Sequence, residues 1–592
     1  MKVHSANLIN KQIIVYTCLC MSLSGCIEST YIRPLVSETK PHISNQAEKE
    51  VRRIARDSSD PVASLIATKH LPQYQVILYA CKQALELPDR INMEWNLLCA
   101  QRIVDLLKSE QKVLYGGQAL QLLYSEATSR IFRYVRDQSD NSAEVLFEDG
   151  NFVIFKGNDS DDVRGFTELL ESSHYQLSQF DHRYTRDGFG VPFVGFQENQ
   201  MAEPIDTLYP PEGRSYAYTG IVDFTPEPGR GRYIAELHLL DPASQYVVFG
   251  RSEYPLAGDF SAPYAYLLSR TSLRQLAWSG FFEFERTLDH LGLFLLQPYD
   301  PDKIPIVMIH GMLSSPREWT QLTNTVFGND LAHRYQVWHY VYPTSAPFLY
   351  SAKILRQKLE YTRLLLDPEL DDFATNNMVF VAHSMGGLLT KALAVNSESS
   401  LWDTAFLTQI DALKLSPADR EELREIFFLE AESYVKRIVF LGTPHHGSEL
   451  VHSFIGGLGS TVSRRPVAMK SLMIRVTTDN PDCMTGEMKN ILARGGPTSV
   501  QGLSPDHPLM AAFASIPLAA NIPFHTIIGS GSGNSNNEIS DGVVTYASAH
   551  VEGAESEFVV PVRHTRYDEP EVVATIVGIL QLHIDEIDRL PD

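Results

Sequence analysis

One short segment, residues 379–387 with the sequence VFVAHSMGG, constrains the fold of this chain more than any other. Apolar residues that favour β-structure lead to Ser384, and residues 388–395 after it are typical of a helix. Small residues stand two positions before and two positions after the serine, as Ala382 and Gly386. A sharp strand-to-helix turn needs small side chains there, because it brings them against each other. The pattern predicts a serine held above a sheet edge. The usual pattern is G-x-S-x-G, and Ala382 departs from it by a single methyl group, so the geometric reason for the pattern remains. An ordinary glycine-rich turn is the alternative.

From about residue 300 onwards, candidate strands alternate with candidate helices. The predicted strands cover residues 304–309, 336–341, 378–381, 437–441, 524–528 and 558–562. The predicted helices cover residues 318–327, 352–366, 388–395 and 570–588. Such alternation predicts a mixed α/β domain over residues 299–592, with a mostly parallel sheet and helices on both faces.

Two long insertions interrupt this alternation. They cover residues from about 399 to 435 and from about 449 to 520, and the second is rich in Gly, Ser and Met. Long excursions in a compact domain are often lids over an active site. We therefore expect both insertions to cover the site that contains the serine.

The serine would need an acid and a base at the same sheet edge. A serine hydroxyl is a weak nucleophile until a base takes its proton, and an acid orients that base. Both should lie in loops after the later strands, where ligands bind in open α/β sheets. Asp541 follows the predicted strand 524–528 and precedes Gly542, which indicates a tight backbone, so it is the predicted acid. Asp506 and Glu538 are alternatives, and Asp541 could instead mark a plain Asp-Gly turn.

The predicted base is His564. The chain contains 19 histidines, and this one is selected because it lies between the last predicted strand and the last predicted helix. In hydrolases of this architecture the catalytic residues follow the chain order Ser, acid, His. By position, His550 in the preceding loop, His525 within a strand and His583 on the terminal helix fit less well.

Acyl transfer also requires N–H donors that stabilise a developing oxyanion. The residue after the nucleophile, Met385, should supply one from its backbone. The other should come from the loop after the predicted strand 304–309, which reads His-Gly-Met-Leu at residues 310–313.

Three motifs together resemble the lipase/esterase branch of the α/β-hydrolases, including bacterial lipases and inositol-deacylase-like enzymes. They are IVMIHGM at residues 306–312, AHSMGG at 382–387 and GTPHHGS at 442–448. The resemblance covers residues from about 300 to 592 and implies an α/β-hydrolase fold. It also implies that the Met312 amide completes the oxyanion hole and that no metal or organic cofactor is required. The adjacent histidines of the third motif have no third ligand nearby, so we predict no metal site.

The N-terminus has the layout of a secretory signal. Basic residues precede an apolar run that is too short to span a bilayer as a mature helix, and the run ends in Leu-Ser-Gly-Cys. This ending resembles the lipobox of bacterial lipoproteins, which implies removal of residues 1–25 and lipidation of the Cys26 thiol. Ile27 is not aspartate, which favours the outer membrane, and residues 26–48 read as a polar tether. A conventional signal peptide cut nearby is the alternative.

The first half of the mature chain carries no chemical motif. Residues 49–140 have helical periodicity, and residues 141–298 have the short apolar runs and turn signals of a β-rich domain. Cys81 and Cys99 lie in neighbouring predicted helices. A disulfide in an oxidising periplasm and two separate buried thiols both remain open.

These observations favour a carboxylic-ester hydrolase of the lipase/esterase type that acts on lipid or acyl-ester substrates at the cell envelope. The formal net charge of −22 and the lack of a Lys/Arg-rich block argue against a nucleic-acid partner, and no protein partner is indicated. An acyltransferase or a thioesterase would use the same triad. A third hypothesis is a non-catalytic envelope lipoprotein whose first half binds a partner.

Overall fold

The computed structural model describes most of the chain. The described residues are 32–34, 81, 93–108, 117–138, 145–148, 151–156, 166–243, 246–271, 291–449, 467–493, 498–531 and 539–589. The predicted signal at residues 1–25, the predicted lipidation site Cys26 and the alternative acid Glu538 lie outside them. Within the described ranges, no helix combines the length and the apolar character that crossing a membrane requires.

Strands and helices are numbered separately in chain order. Strands β1 to β19 are Ile32–Pro34, Val145–Glu148, Phe152–Lys156, Glu168–Glu171, Tyr175–Leu177, Thr185–Arg186, Val191–Gln197, Arg214–Pro226, Tyr233–Leu240, Tyr246–Phe249, Ser252–Pro255, Gly258–Asp259, Gly292–Leu295, Ile304–Ile309, Tyr335–Val341, Met378–His383, Val435–Leu441, Phe524–Gly529 and Ser556–Val560. Helices α1 to α15 are Met93–Lys108, Gly117–Gln138, Ala262–Arg270, Thr320–Gly328, Phe348–Leu366, Phe373–Asn376, Met385–Ala392, Ser400–Ala405, Pro417–Phe427, Val467–Asp479, Gly486–Ala493, Ser499–Gly502, Pro508–Ser515, Tyr546–Ala549 and Pro570–Ile587.

The C-terminal half is built on a seven-stranded sheet in the order β13-β15-β14-β16-β17-β18-β19. Strand β13 pairs antiparallel with β15, and the remaining neighbours pair in parallel. The structure thus confirms a mixed α/β architecture with a parallel sheet. Because the strands β14 to β19 run in one direction, the loops that follow them meet at one edge of the sheet.

The bounds of this sheet differ from the sequence prediction at both ends. Its antiparallel edge strand begins at Gly292, within the residues predicted as the β-rich domain. An apolar run of four residues does not reveal which sheet it will join, and pairing such as Leu293 with Tyr340 decides it. The last strand ends at Val560, two residues before the predicted end at Val562.

Helices cover both faces of the seven-stranded sheet. Every residue of β14 and β15 is buried, as expected for strands that lie between two helical layers. On one face, α5, α7 and α9 contribute Leu355, Leu388 and Leu423 to the core. On the other face, α4 and α15 contribute Leu322 and Leu580. Each such buried leucine stabilises the fold by about 1.5–3 kcal/mol, so the sheet is a firm support for the loops at its edge.

Both predicted insertions are folded where the structure describes them. Helices α8 and α9 lie in the first and bury residues such as Trp402 in the core that covers one face of the sheet. Helices α10 to α13 lie in the second and add Leu472 and Phe513 to the same core. Residues 450–466 of the second insertion are outside the described ranges. The role of the insertions as lids stays a prediction.

The N-terminal half has a second sheet, of six strands in the order β2-β3-β9-β8-β7-β4. Helices α1 and α2 pack on it and share one hydrophobic cluster with its strands. The Tyr124 hydroxyl joins the two layers, because it donates to the Val222 carbonyl and accepts from the Val222 amide, both at 2.8 Å. The predicted helical and β-rich regions therefore have a common core. A helix pair or a sheet with one apolar face must bury that face against another element.

Two earlier segments are attached to the N-terminal half. Cys81 and Cys99 form a disulfide, which is one of the two alternatives left open by the sequence. Strand β1, Ile32–Pro34, pairs antiparallel with β5 although it lies within the predicted tether. A polar composition does not reveal pairing with a strand about 140 residues away, because such pairing depends on the folded partner.

Candidate active site

Ser384 occupies the turn between β16 and α7, called here the Ser384 turn (residues 382–387). Its backbone has φ 54° and ψ −125°, a region that residues other than glycine rarely adopt. Such a conformation costs about 1–3 kcal/mol and persists only where surrounding contacts hold it. The Ser384 amide donates to the Leu441 carbonyl at 2.9 Å, and the Gly387 amide donates to the Ser384 carbonyl at 3.0 Å. The predicted strand–turn–helix is therefore present.

Close packing explains the small residues of the Ser384 turn. A Cβ atom added at Gly386 would lie 2.5 Å from the carbonyl oxygen of Ile309 and 2.6 Å from that of His310. A Cβ atom added at Gly387 would collide with the side chain of Thr443. Ala382 is fully buried at the end of β16, so the single methyl group that departs from the usual pattern fits there.

The structure brings the three predicted catalytic side chains into one chain of contacts. The Nε2 atom of His564 lies 2.9 Å from the Ser384 hydroxyl oxygen. The Nδ1 atom of His564 lies 2.8 Å from the Oδ2 atom of Asp541. Since a carboxylate only accepts, Nδ1 carries the proton and Nε2 of the neutral ring is free to accept the serine proton. All three side chains are buried.

The loop after β18 holds the Asp541 carboxylate in place. Its Oδ1 atom accepts hydrogen bonds from the amides of Val543 and Val544 at 2.9 and 2.8 Å. Its Oδ2 atom also accepts one from the Tyr567 hydroxyl at 3.1 Å. Gly542 has φ 99°, which a residue with a side chain would adopt only under strain, so the tight backbone predicted from this glycine is present.

The surroundings of Asp541 and His564 determine which of these two side chains is charged. Burial acts to raise the pKa of Asp541, but His564 and the two amides outweigh it and hold that pKa below its ordinary value of 3.8. Burial lowers the pKa of His564 below 6.5, and the opposing effect of Asp541 does not compensate for it. At neutral pH the pair therefore consists of a carboxylate and a neutral imidazole, which is the form that a general base requires.

The two predicted oxyanion donors follow the neighbouring strands β16 and β14. Met385 is the first residue of α7, where backbone amides have no carbonyl partner within the helix. Met312 lies in the loop after β14, called here the His310 loop (residues 310–314). A Cβ atom added at Gly311 would lie 3.0 Å from the Cβ atom of Ser384, so this loop passes directly against the serine. The arrangement places Gly311, the residue before Met312, against Ser384, and Met385 directly after Ser384.

The alternative acid and base candidates lie elsewhere. Asp506 is in the connection between α12 and α13, whereas the carboxylate of Asp541 is the one that bonds His564 Nδ1. His525 and His583 both contact the buried Arg437 guanidinium. His550 bonds a neighbouring glutamate at 2.7 Å. Among the described histidines, only His564 contacts the Ser384 hydroxyl.

Three residues at the site were missed by the sequence prediction. Tyr567 donates to Asp541 and accepts from a backbone amide of β18 at 2.8 Å. Glu318 and His383 form a second carboxylate–imidazole pair, with 3.1 Å between the Oε2 and Nδ1 atoms. No sequence pattern marks these residues, because their partners lie in other loops and the spacing is not periodic.

The structure offers no metal site at the serine within the described ranges. The group of potential metal ligands found there consists of Asp367, Asp371 and Asp372, at the end of α5. The Asp367 carboxylate is already engaged by the two neighbouring amides and by the Thr375 hydroxyl. None of these residues contacts the serine.

No protein-family model and no curated protein matches this chain. The mature lipase BlEst2 of Bacillus licheniformis is 18% identical, with 49% of this chain and 97% of that chain covered and a TM-score of 0.29. Esterase B of Lactobacillus rhamnosis is 12% identical, with coverages of 56% and 98% and a TM-score of 0.29. A thioesterase domain from the curacin biosynthetic pathway is 15% identical, with coverages of 49% and 94% and a TM-score of 0.23. These TM-scores are low, so the assignment of the site depends on contacts within this chain.

Proposed function

We propose that the protein is a carboxylic-ester hydrolase of the α/β-hydrolase class, with Ser384 as nucleophile, His564 as general base and Asp541 as the acid that orients it. The observation that carries the proposal is the 2.9 Å contact between the Ser384 hydroxyl and His564 Nε2. The strained backbone of Ser384 supports it, because strain at a non-glycine residue persists where function and surrounding contacts require it.

In the proposed reaction, the Ser384 oxygen attacks the ester carbonyl while His564 Nε2 takes the hydroxyl proton. The carbonyl oxygen becomes an oxyanion that accepts hydrogen bonds from the amides of Met312 and Met385. The alcohol leaves with the proton returned from His564, and an acyl group stays on Ser384. Water, activated by His564 in the same way, then releases the carboxylic acid and restores the serine.

Lipid or acyl-chain esters are the proposed substrate class. The apolar residues of the two insertions and the resemblance of the three motifs to lipases support this choice. The lipobox resemblance at Cys26 supports a lipid-anchored protein at the bacterial outer membrane, which would bring the site to lipid substrates. The proposal names no protein partner and requires no cofactor.

Hydrolysis of p-nitrophenyl butyrate by the detergent-solubilised chain tests the mechanism. Ser384→Ala should lower kcat by about 10⁴–10⁶-fold, because it removes the nucleophile of a triad that acts as a unit. Ser351→Ala is a matched control, since Ser351 is another buried serine and lies on α5. A fluorophosphonate should modify the wild type and Ser351→Ala, but not Ser384→Ala. Equal hydrolysis by Ser384→Ala would overturn the mechanism.

A separate experiment tests the proposed lipid anchor at Cys26. Cys26→Ser should move the protein from the detergent phase to the aqueous phase in a Triton X-114 partition of expressing cells. Mass spectrometry of the wild-type N-terminus should find a lipid-modified cysteine as the first residue. An unmodified N-terminus at another position would contradict the lipobox.

A further inference from the structure

We propose that Glu318 is a positioning residue for the oxyanion hole, because its carboxylate ties the His310 loop to the Ser384 turn. This inference rests on the function proposed above and deepens it. Glu318 does not touch Ser384 or His564 directly, so its effect would pass through the backbone that carries the Met312 amide.

The direction of the Met312 N–H is set by the carbonyl of Gly311. In a trans peptide the C=O and the following N–H point in opposite directions, so fixing one fixes the other. The Gly311 oxygen accepts from the Ser314 amide at 3.3 Å. It also accepts from the Nδ1 atom of His310 at 3.0 Å. The Met312 N–H is thereby turned away from both of these donors.

The preceding peptide is fixed at both of its ends as well. The His310 carbonyl accepts from the Tyr342 hydroxyl at 2.9 Å, and the two rings stack with 4.6 Å between their centroids. The Gly311 amide donates to the Oε1 atom of Glu318 at 3.1 Å. Glu318 is therefore the side chain that holds the amide end of this peptide, one residue before Met312.

The other oxygen of Glu318 reaches the serine side of the site. Its Oε2 atom accepts from the Ser314 hydroxyl at 2.6 Å and from the Nδ1 atom of His383 at 3.1 Å. His383 precedes Ser384 in the chain. One carboxylate thus bridges the two segments that must keep a constant separation if the oxyanion donor and the nucleophile are to act on one carbonyl.

The hydrogen bonds of the Glu318 carboxylate are well supported, because the backbone turn that carries Glu318 is held by the core and the side chains are largely shielded from water. Glu318 lies in the 3₁₀ turn Pro316–Trp319, and the Trp319 side chain beside it is buried in the core. The side chains of Glu318 and His383 are 18% and 9% exposed. Hydrogen bonds to an ionised group are about twice as strong as neutral ones, and shielding from water preserves them.

Glu318→Gln tests the proposal, since glutamine keeps the size but removes the charge and one acceptor. We expect kcat for p-nitrophenyl butyrate to fall about 10–100-fold with KM within about threefold, because misplacing an oxyanion donor by about 1 Å costs that much in rate. A fluorophosphonate should still modify the whole population, with a rate constant reduced by a similar factor. Glu227→Gln, which removes the same charge opposite Arg232 in the N-terminal half, should leave both rates unchanged.

A kcat of Glu318→Gln within about twofold of the wild type would overturn the proposal. A fall in kcat matched by an equal fall in the modified fraction would instead show that this variant does not fold. If Glu318→Gln does not fold, Glu318→Asp keeps the charge but withdraws the carboxylate by one methylene. A wild-type kcat in Glu318→Asp would overturn the proposal equally. A wild type that neither hydrolyses the ester nor reacts with the fluorophosphonate would overturn the proposed function instead.

Discussion

Two carboxylate–histidine pairs adjoin the Ser384 turn, and they differ in what their second ring nitrogen contacts. In the pair of Asp541 and His564, Nδ1 bonds the carboxylate and Nε2 bonds the Ser384 hydroxyl. In the pair of Glu318 and His383, Nδ1 bonds the carboxylate, and the ring interacts with the backbone of His564 rather than with the Ser384 hydroxyl. The centroids of the two rings lie 4.8 Å apart, so the rings share one environment although their contacts differ.

The charges of the two pairs also differ. Burial lowers the pKa of His564 below 6.5, whereas at His383 the Glu318 carboxylate outweighs burial and raises the pKa above 6.5. His564 is therefore neutral where His383 still binds a proton. A carboxylate beside an imidazole does not by itself make a general base. The base is the member whose free nitrogen faces the nucleophile and whose neutral form is populated.

Replacing the histidine of each pair by asparagine should give the largest difference in kcat. His564→Asn removes the nitrogen that faces Ser384 and should lower kcat by about 10⁴-fold or more. His383→Asn places an amide near the former Nδ1 position, where it can still donate to Glu318, and should lower kcat by less than about tenfold. Steady-state kinetics with p-nitrophenyl butyrate measures both effects.

The result that would break this comparison is a similar loss in both variants. His383 would then take part in proton transfer, and the assignment of a single base would be wrong. Circular dichroism controls for folding in both variants, and the modified fraction after fluorophosphonate treatment does so for His383→Asn, which keeps the base His564.

Gly311→Ala should have an intermediate effect. The added Cβ would lie 2.9 Å from the His383 ring and 3.0 Å from the Ser384 Cβ, so the His310 loop must move away from the serine. We expect kcat to fall about 10–100-fold through the displaced Met312 amide. Gly578→Ala on α15 is the matched control, because a Cβ there meets no atom within 4 Å, and alanine stabilises a helix by about 0.5–1 kcal/mol. An unchanged kcat in Gly311→Ala would argue that this loop does not supply the oxyanion donor.

The pH dependence of kcat/KM gives the smallest and most specific effect. A protonated His564 cannot take the serine proton, so kcat/KM should rise with pH through the pKa of His564 in the free enzyme. Because burial lowers that pKa, the half-maximal point of this rise should lie below pH 6.5. Asp541, His383 and Glu318 are the charged groups that act on it.

His383→Asn should move that half-maximal point to higher pH by up to about one unit. The substitution removes a cation that lowers the pKa of His564 and leaves the Glu318 anion, which raises it. The loss of the cation and the anion that remains both favour a higher pKa of His564. A shift to lower pH would contradict the assigned charges of the second pair.

The sequence predicted the elements that carry Ser384, Asp541 and His564, because each follows a strand with a local signature. Each strand-to-turn transition depends on residues that are neighbours in the chain, so the local sequence pattern reveals it. The chain order of the three residues can be read directly from the sequence. Strand β13 was not predicted, and its residues were placed in the β-rich region, since an apolar run of four residues contains no information about its partner. The contact of β1 with β5 was missed for the same reason.

The second carboxylate–histidine pair shows where prediction from sequence ends. Glu318 and His383 are 65 residues apart and meet only because β14 and β16 are neighbours in the sheet. Local propensity does not predict a contact between residues that are distant in the chain. It arises when the core aligns two strands and brings the loops after them together.

By itself, the sequence determined the alternation of strands and helices, the small residues around Ser384 and the chain order of Ser384, Asp541 and His564. These properties come from interactions between residues that are close in the chain. Only the tertiary structure decided which imidazole contacts the serine, which carboxylate each imidazole binds and how the His310 loop lies against the Ser384 turn. Those contacts join residues from separate strands, so they depend on the pairing of the sheet and the burial of both of its faces.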